Sequence, residues 1–273
     1  MQRSRAVDVW ANYWPGEFFA NYRPLGEVYD KLGLAGQVTD LDRLADEAAA
    51  DGVDKVVMSA TAVTEASDNE TVARAIAKYP DLLVGSASVD PTTSGAAAEL
   101  RRSLRDDNFR AFKVLPFLHG LAPNDERYYP LYDICLEYDV PVLFLTGHQA
   151  LNVPSELGRP AHLDNIALRY SDLKMIAGPG GWPWTDELIA LAWKHPNLYI
   201  HTVFAPPPLR DIYFPPQLRD YMSGLGPDKM MWGTGYPFMG HAEPLRELRD
   251  GAIPTEACEA FLWSNAARLW GWT

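Results

Sequence analysis

Short apolar runs rich in β-branched residues alternate with longer amphipathic ones along the chain. The first kind covers Ala6 to Trp10, Lys55 to Ala60, Leu82 to Val89, Ala111 to Leu115, Val140 to Thr146, Lys174 to Ala177, Leu198 to Thr202 and Lys229 to Gly233. Their near-continuous apolar character predicts strands buried on both faces, as in a parallel sheet. Between them, helical spacing marks Leu41 to Ala50, Glu70 to Lys78, Leu100 to Arg105, Pro130 to Tyr138, Thr185 to Lys194 and Pro216 to Ser223. Asp186-Glu187 at the start of one and Lys194-His195 at its end suit the helix dipole, and Pro196-Asn197 stops it. A last helix, about Thr255 to Leu269, is expected on the barrel exterior.

Eight strand and helix units in series predict an α/β fold, a single (β/α)8 TIM barrel over residues 1–273 treated as one domain. Two segments exceed ordinary connections: Tyr13 to Thr39 after the first strand and Gly147 to Leu163 after the fifth. Both follow strand ends, on the face where such barrels build their sites, and are expected to form a lid and pocket wall. No low-complexity tract, internal repeat or Gly/Ser linker divides the chain.

Charge narrows the partners. Thirty-six acidic residues against 24 basic ones give a net charge of -12, which argues against nucleic acid and anionic membranes as ligands. No run approaches the roughly 18 apolar residues that span a bilayer. Met1 to Arg5 lead directly into the first strand without a signal-peptide pattern. Cys135 and Cys258 both fall in helical patterns, so neither a disulfide framework nor a cysteine metal cluster is expected, and a cytoplasmic location is the default.

Several segments in fixed order carry a resemblance: Val7-Asp8-Val9, Val84-Gly85-Ser86-Ala87-Ser88-Val89-Asp90-Pro91, Val140-Pro141-Val142-Leu143-Phe144, Gly181-Trp182-Pro183-Trp184, Lys194-His195-Pro196-Asn197 and Asn265-Ala266-Ala267-Arg268-Leu269. Over nearly its whole length the chain resembles the amidohydrolase-2 family, the relatives of aminocarboxymuconate-semialdehyde decarboxylase. The resemblance implies a metal site at the strand ends: His-x-His after the first strand, one His after the fifth, one after the sixth and an Asp after the eighth. Those ligands would polarise a substrate oxygen or activate water. Here the matching positions read Trp10, Asn12, Leu145, Pro179 (or Gly178) and Gly235. Indole donates but does not coordinate, Leu, Pro and Gly have no side-chain ligand, and a lone amide binds zinc poorly. The expectation is therefore a metal-independent site with no cofactor.

Three residues are candidates for acid and base work. His201 stands at the end of the seventh strand, His148 three residues past the position of Leu145, and Lys113 on the fourth strand. A desolvated lysine there forms a Schiff base or holds a carboxylate, whereas an ion pair with Asp8 or Asp90 would make it structural. Trp10, Asn12, Trp14, Thr146, Trp182, Thr202 and Tyr236 are candidates for substrate binding, the polar ones as donors to a substrate oxygen. Aromatic residues concentrated after the first, sixth and eighth strands point to an apolar or conjugated small-molecule substrate. Decarboxylation, elimination, isomerisation and cyclisation all fit. A metal-independent lactone or ester hydrolase and a catalytically inactive binding protein stay open as alternatives, and a homo-oligomer is compatible with either.

Overall fold

A computed structural model describes residues 5–32, 36–61, 63, 65–207 and 209–273. Met1 to Ser4, part of the N-terminal reading, Gly33 to Ala35 within the first long segment, and Pro208 lie outside the described residues, as do Ala62 and Thr64. The eight expected strands form: β1 (Ala6–Asn12), β2 (Val53–Ser59), β3 (Leu83–Ala87), β4 (Phe109–Val114), β5 (Val142–Leu145), β6 (Met175–Gly178), β7 (Leu198–Val203) and β8 (Met230–Gly233). They pair in parallel in sequence order as one eight-stranded sheet. This is a nearly closed TIM barrel.

Strand parity divides the core into two layers. Val7, Val9, Val57, Ala111, Leu143, Ile176 and Met231 fill the barrel interior. The alternate residues, such as Phe112, Val114, Val142, Phe144, Ala177 and Ile200, pack outward against the helices. Lys113 shares the parity of Ala111 and so points inward. Ala266 and Leu269 of the last helix join the inner layer, and Trp270 Nε1 donates to Arg110 O at the start of β4. The stretch expected as one exterior helix from Thr255 to Leu269 is thus divided: Ala257, Cys258, Phe261 and Leu262 pack in the outer layer, while Ala266 and Leu269 turn to the inner residues of β1.

The seam between β1 and β8 positions the mouth. A register shift between Asp8 and Ala11 inserts one extra residue into β1 relative to β2, a bulge that re-aims the following side chains. A parallel bridge between Ala11 and Tyr236 links the two strand ends, with Asn12 N donating to Tyr236 O at 2.7 Å and Gly235 N to Trp10 O at 2.7 Å. The rest of the seam is stitched by the buried Asp8 carboxylate. Its Oδ1 accepts from Trp10 N and Thr234 N, both at 3.0 Å, and its Oδ2 accepts from Thr234 Oγ1 at 2.5 Å and His241 Nε2 at 3.1 Å. Accepting at Oδ2 places the His241 proton on Nε2.

The first long segment is not an irregular loop. It contains helices Gly16–Asn21 and Arg23–Lys31, and Leu25, Val28, Tyr29 and Leu32 recur at the spacing of one helix face. No helix among the described residues is long and apolar enough to cross a membrane. Both cysteines are free and buried.

Asp8→Ala leaves four donors without their acceptor inside the seam, and it should destabilise the fold by about 3 kcal/mol. Equilibrium urea unfolding checks this: the midpoint should fall with an unchanged slope. An unchanged midpoint would remove Asp8 from its structural role.

Candidate active site

Lys113 is the organising residue of the mouth. It is 1% exposed, and its Nζ donates to Asn12 Oδ1 at 2.7 Å. The amide orientation of Asn12 is fixed from the other side, where Nδ2 faces the carbonyl oxygens of Tyr236 at 3.2 Å and Gly235 at 3.3 Å. With its nitrogen held by two acceptors, only its oxygen remains for Lys113. The same Nζ lies 3.8 Å from the centroid of the Trp10 ring, a cation–π distance. Neither Asp8 nor Asp90 is its hydrogen-bond partner: Asp8 is committed to the seam, and Asp90 Oδ1 accepts from Thr92 N at 2.9 Å and Thr92 Oγ1 at 2.7 Å, a turn role. Burial pushes the Lys113 pKa well below its ordinary value, with the Asp8 charge opposing.

Above Lys113 lies a cavity of about 180 Å3. Trp10, Asn12 and Lys113 form its inner end, with Leu145, Pro179 and Gly235 around them. Trp14, Phe18, Tyr22, Leu25, Val28, Tyr29 and Leu32 from the first long segment make one wall, and His148, Gln149, Ala150 and Leu151 from the second make another. Thr61, Leu115, Phe117, Leu118, Val203, Tyr213 and Phe238 complete it. Trp14 stacks on Phe18 at 5.5 Å between ring centroids and meets Tyr29 edge-on at 5.7 Å, so this wall presents an aromatic surface.

The candidate residues separate into those that line the cavity and those that support it. Lys113, His148, Trp10, Asn12 and Trp14 line it. His148 is exposed on one side, with Nδ1 2.7 Å from Ser155 Oγ and its ring edge-on to the exposed Trp182 at 5.6 Å. Gly147, just before it, has a φ of 90°, and an added Cβ would stand 2.8 Å from Trp182 O, so only glycine lets these two loops meet. His201, Thr146, Thr202, Trp182 and Tyr236 are not among the lining residues. His201 is fully buried and stacks beneath Trp10 at 4.4 Å and 19°. Burial, the largest cause, pushes its pKa down to about 3, so the imidazole is neutral at ordinary pH. Gly178 leaves room for that ring, because a Cβ there would lie 2.7 Å from His201 Cδ2. Thr202 Oγ1 donates to Tyr213 O, Thr146 is buried with its amide bonded to Gly178 O at 2.8 Å, and Tyr236 OH donates to Asp40 O at 3.4 Å.

The other imidazoles do not converge. His119 Nδ1 is 3.2 Å from Tyr128 OH, His162 Nε2 is 2.9 Å from Glu156 O, and His195 Nε2 is 2.6 Å from Asp164 Oδ1. Among the described residues, no group of three or more His, Cys, Asp or Glu side chains is arranged to hold a metal. Of the five positions singled out by resemblance, only Asn12 offers a side-chain oxygen, and the Lys113 amine already occupies it. This donor set does not fit a divalent metal.

The lining residues Leu25, Val28, Leu32, Phe117 and Leu118 go beyond the candidates that the sequence offers. The i, i+3, i+4, i+7 spacing along the helix Arg23–Lys31 and its C-cap Leu32 is the available signal for three of them. The contacts of Phe117, Leu118 and Tyr213 depend on how distant loops meet.

Comparisons place this geometry among known proteins. The amidohydrolase family model matches residues 7–272, and no curated protein matches the sequence. An uncharacterised TIM-barrel protein from Bordetella bronchiseptica is similar at 26% identity and a TM-score of 0.79, over 98% of this chain and 99% of that one. A 5-carboxyvanillate decarboxylase from Novosphingobium aromaticivorans, complexed with manganese and 4-hydroxy-3-methoxy-5-nitrobenzoic acid, is 17% identical with a TM-score of 0.74, over 98% and 96% of the two chains. A dihydroxybenzoic acid decarboxylase from Polaromonas sp. JS666, with manganese and 2-nitroresorcinol bound, is 17% identical with a TM-score of 0.73, over 98% and 97%. With the family model matching over nearly its whole length, the chain belongs to the amidohydrolase-2 family.

Proposed function

We propose that this protein is a metal-independent enzyme that acts on a conjugated or aromatic carbonyl acid by acid and base catalysis, with decarboxylation as the reaction. The observation that carries this reading is Lys113, an amine held on the Asn12 oxygen and the Trp10 face at the inner end of an aromatic cavity. The manganese-bound decarboxylases share the barrel, and their reaction class is what the proposal takes from them. The metal is not taken over, because the donor set at the mouth does not fit one.

In this reading Lys113 meets the polar end of the substrate, and the lid aromatics hold its conjugated part. His148 lies on the same cavity wall and moves the proton, its Nδ1 oriented by Ser155. His201 stays neutral beneath Trp10 and positions the indole against Lys113. A cavity of about 180 Å3 suits a single-ring acid or a short conjugated oxo acid.

Release of carbon dioxide from a panel of aromatic and conjugated oxo acids tests the proposal, with protein dialysed against EDTA. Turnover should survive chelation, and His148→Ala should lower kcat by about 100-fold or more. Turnover that disappears on chelation and returns with manganese would overturn metal independence.

Lys113 also gives a pH signature in stability. Its pKa is lowered on folding, so between that lowered value and the ordinary value of 10.5 the unfolded chain binds more protons than the native one. Stability must therefore rise with pH in that window, and below it the penalty is constant. Replacing the amine by Lys113→Met removes this contribution. The wild-type-minus-variant stability difference, read from urea unfolding at several pH values, should increase toward pH 10. A flat difference would mean that the lysine stays charged in the fold.

A further inference from the structure

The surroundings of Lys113 specify more than a hydrogen-bond donor. Its partner is a neutral amide, since the nearby carboxylate of Asp8 is taken by Trp10 N, Thr234 and His241. Among the described residues its hydrogen-bond partner is no anion that would hold the amine as a permanent ammonium, and burial favours the free base, the nucleophilic form. The amine nevertheless sits 3.8 Å from the Trp10 ring centroid with the Asn12 oxygen 2.7 Å away. These two groups stabilise a positive N–H species better than a neutral one. An end of the cavity that keeps its amine neutral and yet is complementary to a cationic nitrogen matches a reaction in which charge develops on that nitrogen.

We propose that Lys113 Nζ forms an imine with the carbonyl carbon of a conjugated 3-oxo acid in the cavity, and that the protonated imine is the electron sink for decarboxylation. The inference rests on the decarboxylase reading above and deepens it by naming the substrate class and the covalent step. The Nζ lone pair forms the C–N bond while the carbonyl π pair moves to oxygen, which takes one proton from Nζ and one from solvent and leaves as water. The resulting C=N nitrogen carries one proton, donates it toward Asn12 Oδ1 and lies against Trp10. The bond to the carboxylate carbon then breaks, its electron pair moving into the iminium to give an enamine and carbon dioxide. The enamine carbon takes a proton delivered through His148. Water adds to the regenerated iminium, releasing the product ketone and the free Lys113 amine, so no oxidant or reductant is consumed.

The test uses the intact wild-type protein, trans-cinnamaldehyde and glyoxylate as carbonyl probes, and sodium cyanoborohydride to reduce any imine, followed by peptide mapping. Lys78 is an internal standard: it is exposed, its Nζ lies 2.5 Å from Asp42 Oδ1, and this bond raises its pKa. At pH 7 the reduced adduct should form on Lys113 at least about tenfold faster than on Lys78 with one of the probes. Lys113 unmodified by both probes while Lys78 reacts would overturn the imine. Chelator resistance of turnover is read separately. An unlabelled Lys113 in an enzyme that survives chelation sinks the imine alone, and a labelled Lys113 in an enzyme silenced by chelation sinks the metal-free reading alone.

Discussion

An amine buried inside an apolar barrel has to lose its charge or find partners that replace water, and at Lys113 the fold does part of both. Asn12 supplies one acceptor and the Trp10 ring supplies a polarisable face. Everything at the mouth is arranged to keep those two groups in place. Carbonyl oxygens of Gly235 and Tyr236 hold the Asn12 amide nitrogen, and His201 stacks beneath Trp10 in space left by Gly178. Removing any one of these supports changes what Lys113 meets.

The supports depend in turn on the β1–β8 seam. One inserted residue in β1 allows Val7, Val9, Trp10 and Asn12 all to serve the interior, where strict alternation along the strand would send Trp10 outward. The bulge costs ladder hydrogen bonds, and the Asp8 carboxylate replaces them with bonds to Trp10 N, Thr234 and His241. Structure and chemistry are thus divided between neighbouring residues: Asp8 closes the barrel, and Trp10 and Asn12 face the cavity.

Much of this was legible in the sequence, for a physical reason. Strands covered on both faces read as apolar runs, so all eight could be placed from composition and alternation. The long segments after β1 and β5 marked the mouth, and both contribute cavity wall. The helix Arg23–Lys31 carried the spacing of an amphipathic face, but Pro24 and Gly26 disguise it as a loop. The parity of Lys113 was not legible, because it depends on where β4 begins its pairing with β3, across a register shift. Its bond to Asn12 joins residues 101 positions apart, and no local pattern encodes such a meeting. His201 stood out as a strand-end imidazole, yet its cover by Trp10 follows from the bulge in a strand at the other end of the chain.

The central claim is that an amine, not a metal, occupies the inner end of this cavity. Metal content per chain, measured by mass spectrometry on protein produced with manganese and zinc in excess and freed of loosely bound ions by gel filtration, tests it most directly. The account predicts far less than one zinc, manganese or iron ion per chain. A stoichiometric, tightly bound ion that is lost in the Asn12→Ala variant would contradict it.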